Sequence, residues 1–374
     1  GHRGFSPSEI GNMFAIGAVG AIVAPFIAGQ IADRWFNTEK FLGISHILGG
    51  ILVWQLASLE SYKSFLVFSL LYSLIYSPTL SLTNSLAFHH LPDRDRDFGK
   101  IRVWGTIGWI VVGIGIGQWL LHQHTPTGVE AEAVSAAQAA GMADAFKLSG
   151  LLGIVMGIFC FFLPSTPPAK EQKKSAIGGA LDAIRLQPLL TLFLIAVPIS
   201  CVHQFYFVHT APFLGQFQNQ AEGFIDIVNK IVGVGGGGLM TIGQMAEIGV
   251  LALIPLFAKK YSRKALLCVG IAAYALRMFL FAYSPGFPEA AQLPAIILGI
   301  AMHGLCFGCF IFVAFMVVDE ECATDVRASA QSLFNLVIVG IGIIVGSKVA
   351  GYVAEISTVN EVMNYQKLFS APMW

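Results

Sequence analysis

The chain has 374 residues, of which 55% are hydrophobic and only 12% charged, and its formal net charge is zero. Soluble domains carry roughly 25% charged residues, so the composition argues against a water-dissolved fold, and the neutral balance against a nucleic-acid partner. What remains is an all-α membrane protein whose solvent is the lipid bilayer.

The six cysteines (160, 201, 268, 306, 309 and 322) lie in or beside apolar runs without a loop framework, so neither disulfides nor a metal site is implied. Cys306-Phe-Gly-Cys309 has redox-motif spacing but sits inside an apolar run, without the strand–helix context of a redox centre. The chain opens at Gly1 with no initiator Met or signal-peptide layout and stops at Trp374, where another span is expected to begin. It reads as an internal piece of a longer protein.

Taken in order, Ser6-Pro-Ser-Glu9 is a helix start: Ser6 caps, Pro7 suits the first helical position and Glu9 closes a capping box. The first span follows from about Ile10 to Ile31 and ends in the polar turn Gly29-Gln-Ile-Ala-Asp-Arg-Trp35. Further apolar runs at 42–58, 64–91, 101–121, 146–163, 189–213, 239–258, 265–283, 294–318 and 329–353 bring the expected total to ten spans.

Lys and Arg orient them. With the 29–41 loop cytoplasmic, the inside connections hold Arg34, Lys40, Arg94, Arg96, Lys100, Lys170, Lys173, Lys174, Arg185, Lys259, Lys260, Arg263, Lys264 and Arg327. The outside segments hold only Arg3, Lys63, Lys147, Lys230 and Lys367, and the connection Gln123–Phe146 holds neither Lys nor Arg. This places the first residue outside. The Lys-, Pro- and Ser-rich stretch 165–188 reads as a cytoplasmic linker between bundles at 1–164 and 189–374. Gly105–Gly117 after Arg102 is echoed by Gly340–Gly346 after Arg327, and Pro25 by Pro255. Weak duplication of two membrane halves is a secondary-transporter signature.

The strongest single signal is Glu247, near the middle of the nearly unbroken apolar stretch Gly238–Phe257, with Gln244 one turn earlier on the same face. A carboxylate at that depth costs roughly 2.5–3.5 kcal/mol on insertion scales. Either a polar cavity or a buried ion pair with Arg102, Arg277 or Lys348 must compensate it. Arg102, Thr106 and Trp109 fall at i, i+4 and i+7, a stripe able to bond and stack a polar ring; the alternative is an Arg102 that snorkels to headgroups.

Gln204 and Phe207 share a face beside His203, Tyr206 and His209, and Gln204 serves either a ligand or a helix–helix bond. His203 and His209 alternatively lie toward the outer interface. His303 and Phe307, one turn apart, offer a titratable imidazole and a stacking ring, or else pack. Arg277, in an otherwise apolar helix, reads as a structural partner rather than a ligand contact. Gly233–Gly238 lacks the Lys-Ser/Thr of a phosphate loop and reads as a flexible outside loop, so no cofactor is implied.

At these residues a resemblance appears. Gly29-Gln-Ile-Ala-Asp-Arg-Trp35 resembles the loop motif of the major facilitator superfamily. Ile101-Arg-Val-Trp-Gly-Thr-Ile-Gly108, Gln244-Met-Ala-Glu247, Ala275–Tyr283 and Val326-Arg-Ala-Ser-Ala-Gln331 resemble the bacterial nucleoside:proton symporters of that superfamily. The resemblance implies a two-bundle fold, of which this chain would be helices two to eleven of twelve, the first and last missing. It implies proton-coupled nucleoside uptake by alternating access, in a bacterial inner membrane, without enzymatic chemistry.

Carried over position by position, the substrate residues are Arg102, Thr106, Trp109, Gln204, Phe207, Gln244, Glu247, His303 and Phe307. Glu247 and His303 are the proton-coupling pair, and Gly29, Asp33 and Arg34 the conformational loop. Three positions depart from the family pattern: Phe207 stands for an Asn, His303 for a Tyr, and Gly308 for an Asp. These departures keep two alternatives in view: a proton-coupled carrier of a sugar or other small polar metabolite, and a membrane receptor that binds without transporting.

Overall fold

The computed structural model describes residues 3–27, 37–92, 94–167, 177–220, 223–323, 327–360 and 362–373. Gly29, Asp33 and Arg34 therefore lie outside the described residues. In chain order the helices are α1 (Pro7–Ile27), α2 (Thr38–Leu56), α3 (Tyr62–His90), α4 (Arg94–Gln123), α5 (Ala131–Gly141), α6 (Ala143–Cys160), α7 (Ile177–Ile184) and α8 (Leu189–Gln220). There follow α9 (Phe224–Val232), α10 (Gly237–Lys260), α11 (Arg263–Tyr283), α12 (Glu289–Leu305), a π-helical stretch Cys306–Phe312 and α13 (Val313–Glu321). The chain continues through α14 (Arg327–Asn335), a second π stretch Leu336–Gly342, α15 (Ile343–Ser357), a two-residue hairpin and α16 (Tyr365–Ser370). In hydrocarbon every backbone donor needs a partner within its own segment, and a helix supplies one.

Among the described residues eight helices are long and apolar enough to cross a membrane, with Pro7–Val23 a shorter apolar one. Ten such spans were expected. All ten apolar runs are helical, but the described part of α1 and the Gly- and Ser-bearing α2 fall short by length and hydropathy. The connection 123–146 is also more structured than expected. Its Ala-rich centre forms α5, and Gln138 and Ser135 there bond the Asn219 side chain at the end of α8, at 3.2 and 3.1 Å.

The chain packs as two compact units, 1–104 with 139–174 and 105–138 with 175–374, and α4 runs from the first into the second. In the first unit the expected capping box is present: the Glu9 N–H donates to Ser6 Oγ at 3.2 Å, and the Ser6 N–H donates back to Glu9 Oε2 at 2.9 Å. Helices α2 and α6 meet along glycines. A Cβ added at Gly50 would lie 2.7 Å from the Gly150 carbonyl, and one at Gly157 2.7 Å from the Gly43 carbonyl. Small residues let two backbones approach where the lipid gives no hydrophobic drive toward association.

Before the apolar part of α2, Glu39 is buried and accepts the Thr166 N–H at 2.9 Å and the Asn37 amide at 3.1 Å. Burial raises its carboxyl pKa, but these N–H donors outweigh burial and hold it below the usual value. His90 Nε2 lies 2.8 Å from Thr166 Oγ1, so α2, α3 and the chain leaving α6 are tied together there.

In the second unit the sequence Gly233–Gly238 is a tight turn rather than a loose loop. Gly233, Gly235 and Gly236 all have φ of +80°, a region that disfavours any side chain. The Val234 N–H donates to the Gly117 carbonyl at 3.0 Å, which fixes the C-terminal half of α4 against the turn before α10.

The glycine contact generates a test. Gly150→Leu forces a branched side chain into the α2–α6 seam and is expected to destabilise the first unit by about 1–3 kcal/mol. A lower unfolding temperature in detergent checks this.

Candidate functional site

The polar centre of the second unit is assembled by α8, α10, α11 and α12. Gly243 and Gly304 set how closely these helices approach. A Cβ on Gly304 would lie 2.5 Å from the Ala246 carbonyl and 2.9 Å from the Glu247 nitrogen, so α12 lies directly against α10 at the acidic residue. A Cβ on Gly243 would lie 3.0 Å from His303 Cβ and 3.1 Å from the Tyr206 hydroxyl.

That approach brings Glu247 and His303 together, with Glu247 Oε2 3.4 Å from His303 Nε2. The His303 side chain is 2% exposed and that of Glu247 15%. On the other side of the imidazole, Arg277 Nη1 lies 3.3 Å from His303 Nδ1. Arg277 itself is fully buried. Its guanidinium lies over the rings of Tyr206 at 4.2 Å and Tyr274 at 5.0 Å, a favourable setting for a desolvated cation. Tyr274 Oη is 2.7 Å from His203 Nδ1, and the rings of His203 and His303 stack at 5.6 Å.

The expected site residues divide accordingly. Glu247, His303 and Phe207 are brought together, the Phe207 ring packing edge-on to His303 at 6.1 Å. Phe307 lies at the start of the first π stretch, its ring 6.4 Å from that of His303. Gln244 is buried and its Oε1 has no partner, an unspent acceptor one turn from Glu247. Gln204 is buried, its Cβ close to the position a Gly346 side chain would fill.

Thr106 and Trp109 lie on α4 in the same unit. A Cβ on Gly113, further along their stripe, would lie 2.9 Å from Thr241 Cγ2 on α10. Trp109 precedes Gly113 by four residues and Thr106 by seven, so both continue the stripe that meets α10 at Gly113. Arg102 is on α4 within the first unit.

His209 is buried, with Nε2 3.1 Å from the Ala350 carbonyl, so its ring is engaged with a neighbouring helix. A Cβ on Gly308 would lie 2.7 Å from Val250 Cγ1, so a larger residue there requires the Val250 side chain to shift. Among the described residues no group of three or more His, Cys, Asp or Glu has metal-holding geometry, and no cysteine is in a disulfide.

Sequence reasoning gave Arg277 only a structural part and left Tyr274 outside the site. A signal was available: 203, 206 and 207 share one helix face, as do 274 and 277.

A family model described as "Nucleoside H+ symporter" matches residues 1–373. The chain belongs to that symporter family. Its relatives include the putative nucleoside transporter YegT of Escherichia coli K12, 32% identical over 94% of this chain and 78% of that protein. The xanthosine permease of the same strain is 27% identical over 98% of this chain and 84% of its own length. Among solved structures, a mutant form of the nucleoside transporter NupG superposes with a TM-score of 0.82 at 25% identity, over 99% of this chain and 89% of that one. A D-xylose–proton symporter, at 16% identity and a TM-score of 0.64, shares the fold. This symporter is therefore a multi-pass membrane transporter of the major facilitator superfamily fold, and not an enzyme.

The packing at Gly304 can be tested directly. Gly304→Val pushes α12 away from α10 and is expected to cost about 1–3 kcal/mol of stability. It should also separate Glu247 from His303, read as lost substrate-induced thermal stabilisation beyond the fall in unfolding temperature.

Proposed function

We propose that this symporter takes up nucleosides across a bacterial cytoplasmic membrane, driven by protons that bind at Glu247. The observation that carries this reading is the contact of Glu247 with His303, 3.4 Å apart within the apolar helices α10 and α12. A carboxylate held there changes charge when it takes a proton, and a bound ring with hydroxyl groups changes its surroundings in turn. Each event alters the free energy of the other, which is what coupling requires. Family membership and the permease relatives support the cargo class.

In this reading Gln244 and Gln204 hydrogen-bond the polar edge of the nucleoside. Phe207, Phe307 and Trp109 supply ring faces, and Thr106 completes the polar contacts from α4. The unpartnered Oε1 of Gln244 is an acceptor ready for a ligand hydroxyl. Alternate exposure of this site to each face of the membrane is the step that moves the cargo.

Uptake of labelled uridine and adenosine into cells, with and without a proton-gradient uncoupler, tests the scheme. Glu247→Gln is expected to lower concentrative uptake about tenfold or more, the equivalent of ~1.4 kcal/mol, while surface expression is unchanged. Accumulation that survives both the uncoupler and Glu247→Gln sinks the coupling. Stronger competition by sugars than by nucleosides reassigns the cargo.

A further inference from the structure

The geometry points to Arg277 as the positioning residue that fixes His303 in one tautomer, leaving Glu247 as the group of the pair that exchanges the proton. The inference deepens the reading of the same site and rests on it for the word coupling, but not for the tautomer.

A guanidinium has N–H donors and no acceptor. Arg277 Nη1 lies 3.3 Å from His303 Nδ1, so in that contact Nδ1 accepts. A neutral imidazole carries its single proton on the other nitrogen, and that nitrogen, Nε2, lies 3.4 Å from Glu247 Oε2. The neutral ring is thus a donor toward the carboxylate. A second ring proton would have to enter at Nδ1, between the imidazole and a buried guanidinium.

The other groups around the ring do not offer an alternative. Tyr206 from α8 stacks on it at 5.0 Å, and His203 from the same helix at 5.6 Å. His203 has its own Nδ1 engaged with Tyr274 Oη of α11 at 2.7 Å. Cys306, three residues further along the chain, is a free buried thiol. Phe207 and Phe307 are apolar.

Among the described residues Arg277 contacts no carboxylate, and its Nε and Nη2 have no partner. Its positive charge is answered by Glu247 only through the neutral imidazole. A protonated His303 would set two cations side by side in an apolar surround, which is disfavoured. The row Arg277–His303–Glu247 therefore holds its exchangeable proton at the carboxylate end. His303 relays the influence of Arg277 without becoming charged.

The test is nitrogen NMR of the full chain labelled at histidine, in detergent or nanodiscs, with the His303 signals assigned by their loss in His303→Gln. The expected result is an unprotonated Nδ1 and a protonated Nε2, unchanged over about pH 5 to 8, the window in which an unperturbed histidine titrates. In Arg277→Leu the ring should titrate within that window, and the pH profile of uridine binding should gain a second proton step. Arg277→Lys, which keeps a cationic donor, should restore the single-step profile.

A proton on Nδ1 in the unmodified protein overturns the proposal, as does a His303 ring that titrates there with Arg277 in place. Should Arg277→Leu fail to fold, the unmodified chain and the Lys variant still decide. If the tautomer holds while Glu247→Gln leaves gradient-driven uptake intact, the transport reading and the assignment of the exchanged proton to Glu247 both fall, and only the tautomer assignment stands.

Discussion

A cation with no direct counter-charge among the described residues, enclosed by hydrocarbon, is the constraint on which the second unit depends. Arg277 has none of its surface exposed, and the penalty for an isolated charge in such a medium is large. The structure answers it with two tyrosine rings, a neutral imidazole and a carboxylate one contact further on. Each answer comes from a different helix, so the polar centre also specifies how α8, α10, α11 and α12 are arranged. Removing any one member leaves the others buried with unmet bonding capacity, which costs more than the bond itself was worth.

Around this centre the glycines act as spacers. Gly243 and Gly304 let α10 and α12 approach until Glu247 reaches His303, while Gly346 and Gly342 bring α15 and the second π stretch against α8 at Gln204, Cys201 and Ser200. The first unit uses the same device at Gly43, Gly50, Gly150 and Gly157. In water, apolar side chains would drive such contacts. In lipid, close backbone packing does.

Much of this was legible in the residues. Apolar runs gave every long helix, the Ser6–Glu9 box gave the first helix start, and the rarity of a carboxylate such as Glu247 in a span drew attention to the right helix. Helix α5 was hidden because its Ala, Gln and Glu content is too polar for a span, although Ala and Glu are good helix formers. The link between Arg277 and His303 was not readable, because it joins residues 26 apart in the chain through tertiary packing. Gly308 shows the same limit: only the fold reveals that its bare Cα faces the Val250 side chain.

The two π-helical stretches, 306–312 and 336–342, have a consequence for evolution along this chain. A π turn is an α-helix with one residue too many, and each residue turns a helix by about 100°. Ser200 Oγ already donates to the Ile338 carbonyl inside the second stretch at 2.7 Å. A π turn takes up its extra residue as a local bulge, so losing a single residue from either stretch would restore plain α-helix and leave the residues beyond it on nearly the same face. The chain thus carries two places where a one-codon deletion removes a bulge without breaking the helix.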